Sequence, residues 1–347
     1  MPRSAITAGC ADFILAPEAI ARELSRIGHH LTSIPLQEVK ARGESTTEKM
    51  LRRLREVTGV DFSQYRFSTL YRRITRRMLL HKIDKPVEYL RMLEADASEV
   101  RALYQDILIS VTSFFRDPDA FSVLVAKVFP RLIQNRSRQD PVRIWVLGCS
   151  TGEEAYSLAM AFTEFTGNDA FPVQVFGTDL NEAAIEKART GLYPRSIAHD
   201  VSPERLHRFF TETSKGLQIR KSIREMCVFA RQNVLSDPPF SRIDLLTCRN
   251  LLIYLEPALQ RRLLPLFHYS LNPNGFLWLG SSESAAGLPE LFDVQDGKYK
   301  LYSKKARSRA PARLSGRGPA MGRAAGRQGA ASPATRPHCR PRSPAGG

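Results

Sequence analysis

The sequence predicts an α/β protein: a doubly wound, mostly parallel sheet behind an N-terminal all-α cap. Three observations predict it. From Val142 onward, apolar runs of strand length alternate with segments of helical period, which is the pattern of βαβ units. Residues 46–110 carry helical stripes instead. Apolar residues are 43% of the 347 and charged residues 25%, the balance of a globular chain long enough for two or three domains.

The net charge of +16 is unevenly placed. From Lys304 to the end, eleven residues are Lys or Arg and none is Asp or Glu, which leaves forty basic against 35 acidic residues elsewhere. A net +5 is a weak field, so no nucleic-acid partner is expected for the folded part. Residues 304–347 are rich in Gly, Pro, Ala, Arg and Ser; they offer too little apolar surface to offset ordering entropy and read as a disordered tail. No run approaches 18 apolar residues, so no membrane insertion is expected. The five cysteines are odd in number, dispersed, and lack metal-ligand spacing. They read as reduced thiols in a cytoplasmic protein without a metal site.

Each element has a local justification. Asp12–Pro17 reads as a short strand, and Pro17 opens a helix over 18–27, since proline is tolerated in a first turn. The short apolar stretch before it is interrupted by Asp12 and Glu18, which argues against a secretion signal. Residues 29–45 read as a linker. In the cap, Leu51, Leu54 and Val57 form one stripe and Leu70, Ile74 and Met78 another, with helices near 86–94 and 97–110 after them. Arg72, Arg73, Arg76 and Arg77 fall on the remaining faces of the second helix. The sheet domain is expected to contain strands at 143–147, 173–179, 243–248 and 276–280, helices at 153–165, 181–190 and 257–271, and a closing antiparallel edge strand at 298–302. Pro273-Asn-Gly275 is expected to turn into the 276–280 strand.

The turn Gly148-Cys-Ser-Thr-Gly152-Glu-Glu154 joins a strand to a helix through small residues, which lets a nucleotide-like ligand approach the backbone. It is neither GxGxxG nor a phosphate loop. Glu154 at the helix start favours a cationic group on the ligand. Asp179 ends the next strand, where a carboxylate accepts ribose hydroxyls. Together they favour S-adenosylmethionine over a nicotinamide dinucleotide; taken singly, each also fits a carboxylate stabilised by a helix dipole. Asp237-Pro-Pro-Phe240 resembles the DPPF motif of adenine-N6 DNA methyltransferases, but it precedes a strand where theirs follows one. It reads as a structural loop.

With these residues assembled, 46–303 resembles the chemotaxis receptor methyltransferases (CheR-type, protein-glutamate O-methyltransferases). The resemblance rests on Ser110-Val-Thr-Ser-Phe-Phe-Arg116-Asp, Gly148–Glu154, Phe176-Gly-Thr-Asp179, Asn233-Val234 and Cys248-Arg-Asn-Leu-Leu-Ile-Tyr254, in that order. It departs at Ser110, where the family often has Asn, and at Ala155, where it often has Pro. It implies a Rossmann-like S-adenosylmethionine-dependent sheet over 118–303, an all-α domain over 46–117 and a small antiparallel insert near 212–231, with a turn at Ser214-Lys-Gly216. Residues 1–28 look like the closing strand and helix of a CheB-type methylesterase, an inert remnant without that family's catalytic residues.

The resemblance also implies roles. Ser110, Thr112 and Arg116 would meet the methionine end of the cofactor, Glu154 its ammonium and Asp179 its ribose. Asn233 and Val234 would flank the adenine, and Arg249 and Asn250 would line the pocket. Arg116 and Tyr254 would face the methyl transfer, and the product would be S-adenosylhomocysteine. Arg72, Arg73, Arg76 and Arg77 would dock the cytoplasmic helical domain of chemoreceptors. The enzyme is expected to be monomeric. The competing expectations are a catalytically idle scaffold or sensor fragment and a nucleic-acid methyltransferase.

Overall fold

The computed structural model describes residues 13–33, 45–167 and 171–306. Helix α1 spans Pro17–Ser33 and so enters the stretch read as a linker; residues 34–44 lie outside the described residues. The strand expected before it is not formed over Phe13–Ala16: Ile14 and Leu15 are exposed, with no neighbouring strand to complete a ladder among the described residues.

Four helices build the cap: α2 (Thr46–Thr58), α3 (Phe67–Leu80), α4 (Pro86–Ala95) and α5 (Ala97–Ile107). Ser45 and Glu48 form a reciprocal capping box at the start of α2, and Gly59 ends that helix in the left-handed region. Met50, Leu54, Leu70, Ile74, Met78, Leu93 and Leu103 fill the core between them.

Helices α6 (Pro118–Lys127) and α7 (Phe129–Ile133) lead into the sheet domain. There follow β1 (Val142–Leu147), α8 (Glu153–Thr166), β2 (Val173–Asp179), α9 (Glu182–Thr190) and β3 (Leu192–Tyr193). Next come α10 (Pro203–Phe209), β4 (Phe210–Thr213), β5 (Gly216–Ile219), α11 (Lys221–Arg224), β6 (Cys227–Arg231) and β7 (Ile243–Cys248). The chain continues through α12 (Pro257–Ser270), β8 (Leu271–Leu279), β9 (Phe292–Asp296) and β10 (Leu301–Lys304). The main sheet has seven strands in the order β6-β2-β1-β7-β8-β10-β9. It is parallel from β6 to β8, and β10 runs antiparallel to both its neighbours. Side chains of β1 alternate between two cores. Ile144 and Val146 pack with α8, while Trp145 and Leu147 pack with α12, so helices cover both faces.

Four expectations need correction. The last strand is antiparallel but interior, because β9 pairs outside it and takes the edge. Pro273–Gly275 does not precede its strand: β8 begins at Leu271, and these residues bulge from it where the register against β7 shifts. The small antiparallel sheet is β3-β5-β4, a hairpin of 210–219 turning at Ser214-Lys215, whereas 227–231 joins the main sheet as β6 beside β2. The fold also reaches into the expected tail, since Lys304 ends β10 and the Lys305 N–H donates to the Leu291 carbonyl. Residues 307–347 lie outside the described residues. No helix among the described residues is long and apolar enough to cross a membrane.

Candidate active site

A cavity of about 370 Å³ lies outside the carboxyl ends of β1, β2 and β7. It sits where the chain, having added β2 and β6 on one side of β1, crosses to add β7 on the other. That is the crevice in which open α/β sheets bind ligands. The cap forms its other wall through Tyr65, Thr69, Ile107 and Leu108. A short antiparallel bridge pairs Tyr65 with Leu255, and the Arg66 N–H donates to the Tyr254 carbonyl at 2.8 Å. The cap is therefore pinned to the loop that carries Tyr254.

The turn after β1 is shaped for close approach. Gly148 (φ 66°), Ser150 (φ 50°) and Gly152 (φ 94°) are all left-handed, and a Cβ on Gly152 would lie 2.9 Å from the Ala188 side chain. Gly152 then starts α8. Asp179, at the end of β2, accepts from the Ser150 N–H and the Asn181 N–H, each at 2.8 Å. One backbone donor on each oxygen leaves lone pairs free for two hydroxyls. Burial pushes the Asp179 carboxyl up, and these amide bonds partly oppose the shift. Tyr65 faces the same charge, and burial together with it raises the phenol to about 12.

At the opposite end Glu154 is fixed by two side chains. Its Oε1 accepts from Thr247 at 2.7 Å, and its Oε2 pairs with Arg249 Nη1 at 3.0 Å. The Arg249 side chain is only 2% exposed. Its Nη2 donates to Asp117 Oδ2 at 2.6 Å and to the Arg116 carbonyl at 3.1 Å, and its guanidinium lies 4.1 Å from the Trp278 ring centre. Arg249 thus lines the cavity but devotes both arms to the protein, clamping Glu154 to the 115–117 loop. That loop is strained at Phe115 (φ 49°) and Asp117 (φ 62°), and the Phe115 N–H is tied to Ser157 Oγ. Arg116 differs from Arg249. Its Nη1 makes a 3.3 Å bond to the Val111 carbonyl, and no carboxylate pairs with it among the described residues.

Of the residues expected from sequence, Thr112, Arg116, Glu154, Asp179, Asn233, Val234, Arg249, Asn250 and Tyr254 all line the cavity. Ser110 does not; its hydroxyl turns to the Leu108 carbonyl and accepts weakly from Asn181. The side-chain Oδ1 of Asn233 accepts from the Leu235 N–H, which shapes its own turn. The DPPF segment is structural: Asp237 accepts from the Asn233 N–H, and the Phe240 ring packs on Trp145 and Phe176. Two of the four arginines of α3 are engaged within the cap. Arg77 pairs with Glu99, and Arg76 pairs with Asp106 at 2.6 Å. Arg72 is exposed and Arg73 half-buried. Tyr65, Thr247 and Glu283 were missed, because none lies in a motif and each meets the site only through tertiary packing.

Residues 110–301 match the family model described as "CheR methyltransferase, SAM binding domain", and 46–108 match "CheR methyltransferase, all-alpha domain". The chain belongs to the CheR methyltransferase family. The CheR relatives include a "Chemotaxis protein methyltransferase" of Salmonella typhimurium, 30% identical over 257 residues that cover 71% of this chain and 86% of that protein. "Chemotaxis protein methyltransferase 1" of Pseudomonas aeruginosa is 33% identical over 230 residues, 64% of this chain and 84% of that one. A 104.1 kDa protein of Rhodobacter capsulatus is 41% identical over 254 residues, 73% of this chain but only 27% of its own length. The chain therefore spans about a quarter of that protein. The match makes residues 110–301 a SAM-binding methyltransferase domain.

Proposed function

We propose that this CheR domain methylates glutamate side chains in the cytoplasmic helical domain of chemoreceptors, acting as a monomer in the cytoplasm. The observation that carries the reading is Arg116, a guanidinium at the cavity without a carboxylate partner among the described residues. It is a site ready to receive one.

The residues fit the family's cofactor. Asp179 offers open lone pairs at the ribose end, Glu154 a fixed carboxylate for an ammonium, and Val234 an apolar surface for the adenine, with Asn233 beside it. S-adenosylmethionine, when bound, supplies a methyl on a sulfonium whose charge is lost in transfer. The chain's own residues position the acceptor. A glutamate, with an ordinary pKa of about 4.3, arrives ionised and needs no strong base. Arg116 aims that carboxylate, Thr112 shares its rim, and Tyr254 orients the attacking oxygen by a neutral hydrogen bond, which holds it without quenching it. The small set of ordered side chains matches a reaction limited by alignment.

Docking narrows to Arg72 and Arg73, since Arg76 and Arg77 hold the cap's own acids. The test offers labelled S-adenosylmethionine with receptor cytoplasmic fragments or with duplex DNA. Label entering the receptor alone supports the reading, and label entering DNA alone contradicts it.

A further inference from the structure

The buried carboxylate of Glu283 takes no part in the proposed chemistry, yet it is placed against the loop that performs it. Glu283 is 4% exposed and sits beyond the end of β8. Its Oε2 accepts from the Asn250 N–H at 3.0 Å and the Gly280 N–H at 2.7 Å, and its Oε1 accepts from the Leu252 N–H at 2.7 Å. The Asn250 and Leu252 amides belong to the loop after β7, and the Gly280 amide lies just past the end of β8. Asn250 is left-handed (φ 60°), and Leu252–Tyr254 is a single 3₁₀ turn. A carboxylate is the side chain suited to several converging donors, because it accepts on both oxygens and donates nothing.

The surroundings leave no slack. A Cβ added at Gly280 would lie 2.8 Å from Glu283 Oε2 and 3.0 Å from the Asn250 nitrogen. From the other side, the cap holds the same loop through the bond from the Arg66 N–H to the Tyr254 carbonyl. Arg249, which clamps Glu154 and the Arg116 loop, immediately precedes Asn250.

We propose that Glu283 is a positioning residue for methyl transfer, acting as the anchor that fixes the Arg249–Tyr254 loop in its reactive geometry. It touches neither donor nor acceptor. The inference rests on the methyl-transfer reading above for its rate prediction, but its structural half stands apart. Replacing the acid by its amide turns one accepting oxygen into an NH₂ group that faces one or two of the three N–H donors, so at least one bond is lost and the loop shifts. The ribose end is held by Asp179 and does not depend on that loop.

The test compares wild type, Glu283→Gln and Gly280→Ala in three readouts: S-adenosylhomocysteine affinity by calorimetry, kcat on receptor fragments, and hydrogen exchange at the Asn250 and Leu252 amides. Both variants should keep that affinity within about threefold while kcat falls at least about tenfold, a split expected when positioning fails rather than binding. The two amides should lose protection in Glu283→Gln. Gly280→Ala keeps the charge and displaces the same loop, so it serves if the amide variant does not fold. A folded variant with wild-type kcat, or unchanged protection at both amides, would overturn the proposal. If wild type itself fails to methylate receptor, the substrate reading falls, and the exchange experiment still decides whether Glu283 anchors the loop.

Discussion

Asp179 holds one backbone amide on each carboxylate oxygen and keeps its remaining lone pairs toward the cavity. Asp179→Ala should therefore weaken S-adenosylhomocysteine binding by about 1.5–3 kcal/mol, the scale of hydrogen bonds to a charged acceptor. Unchanged affinity by calorimetry would place the ribose elsewhere. Arg116 and Tyr254 should separate in kinetics. Arg116→Ala should lower both cofactor affinity and turnover, whereas Tyr254→Phe, which removes one hydroxyl, should lower mainly kcat. A Tyr254→Phe variant with full turnover and weakened cofactor binding would reverse those roles. Nine of the ten residues given to the cofactor and the transfer line the cavity: seven lie at or after strand ends, and Thr112 and Arg116 come from the segment before α6. Ser110 lies off the cavity lining, since a motif gives sequence position without side-chain direction. Arg249 was legible as a pocket residue, but its partners Asp117 and Glu154 come from distant segments and only folding brings them together.

The cap carries a buried ionic cluster that has a pH signature. Burial pushes the Glu99 carboxyl up, but hydrogen bonds from Arg77, Tyr89 and His81 outweigh it and hold the group below its ordinary value. A carboxyl depressed on folding contributes fully above that ordinary value and loses its contribution as pH falls through the folded value. Urea unfolding of the wild type should thus lose stability below about pH 4.5 more steeply than Glu99→Gln. At neutral pH that variant should be less stable by about 3 kcal/mol, since it strands Arg77 with only Asp106 nearby. Equal acid slopes would show that the cluster is not a source of acid lability. In the cap, the helix starts at 86 and 97 were legible from local pattern, whereas the last helix stops at Ile107, short of the expected 110. Sheet order was not legible. Strands β6 and β9 are short and weakly patterned, and their places at the two edges are decided by pairing across distant segments.

For the molecule as a whole, location of charge should matter more than amount. Removing 307–347 takes away nine basic residues, but these come with no acidic partners and little apolar surface, and physiological salt screens their long-range pull. Receptor methylation should hardly change. Reversing Arg72 and Arg73 to Glu alters only two positions, yet it puts repulsion on α3 at an exposed and a half-buried position. It should raise the receptor KM strongly, and less so as salt increases, with cofactor affinity intact. If truncation abolished activity and the reversal did not, the tail would be the docking device.

In the proposed reaction the cavity delivers a methyl to a carboxylate aimed by Arg116. The most direct measurement is peptide mass spectrometry of a receptor cytoplasmic fragment after incubation with S-adenosylmethionine, before and after mild alkali. One methyl should be added to particular glutamates, removed by alkali as an ester must be, and much reduced with Arg116→Ala. A methyl that survives alkali, or that appears on lysine or arginine, would contradict it.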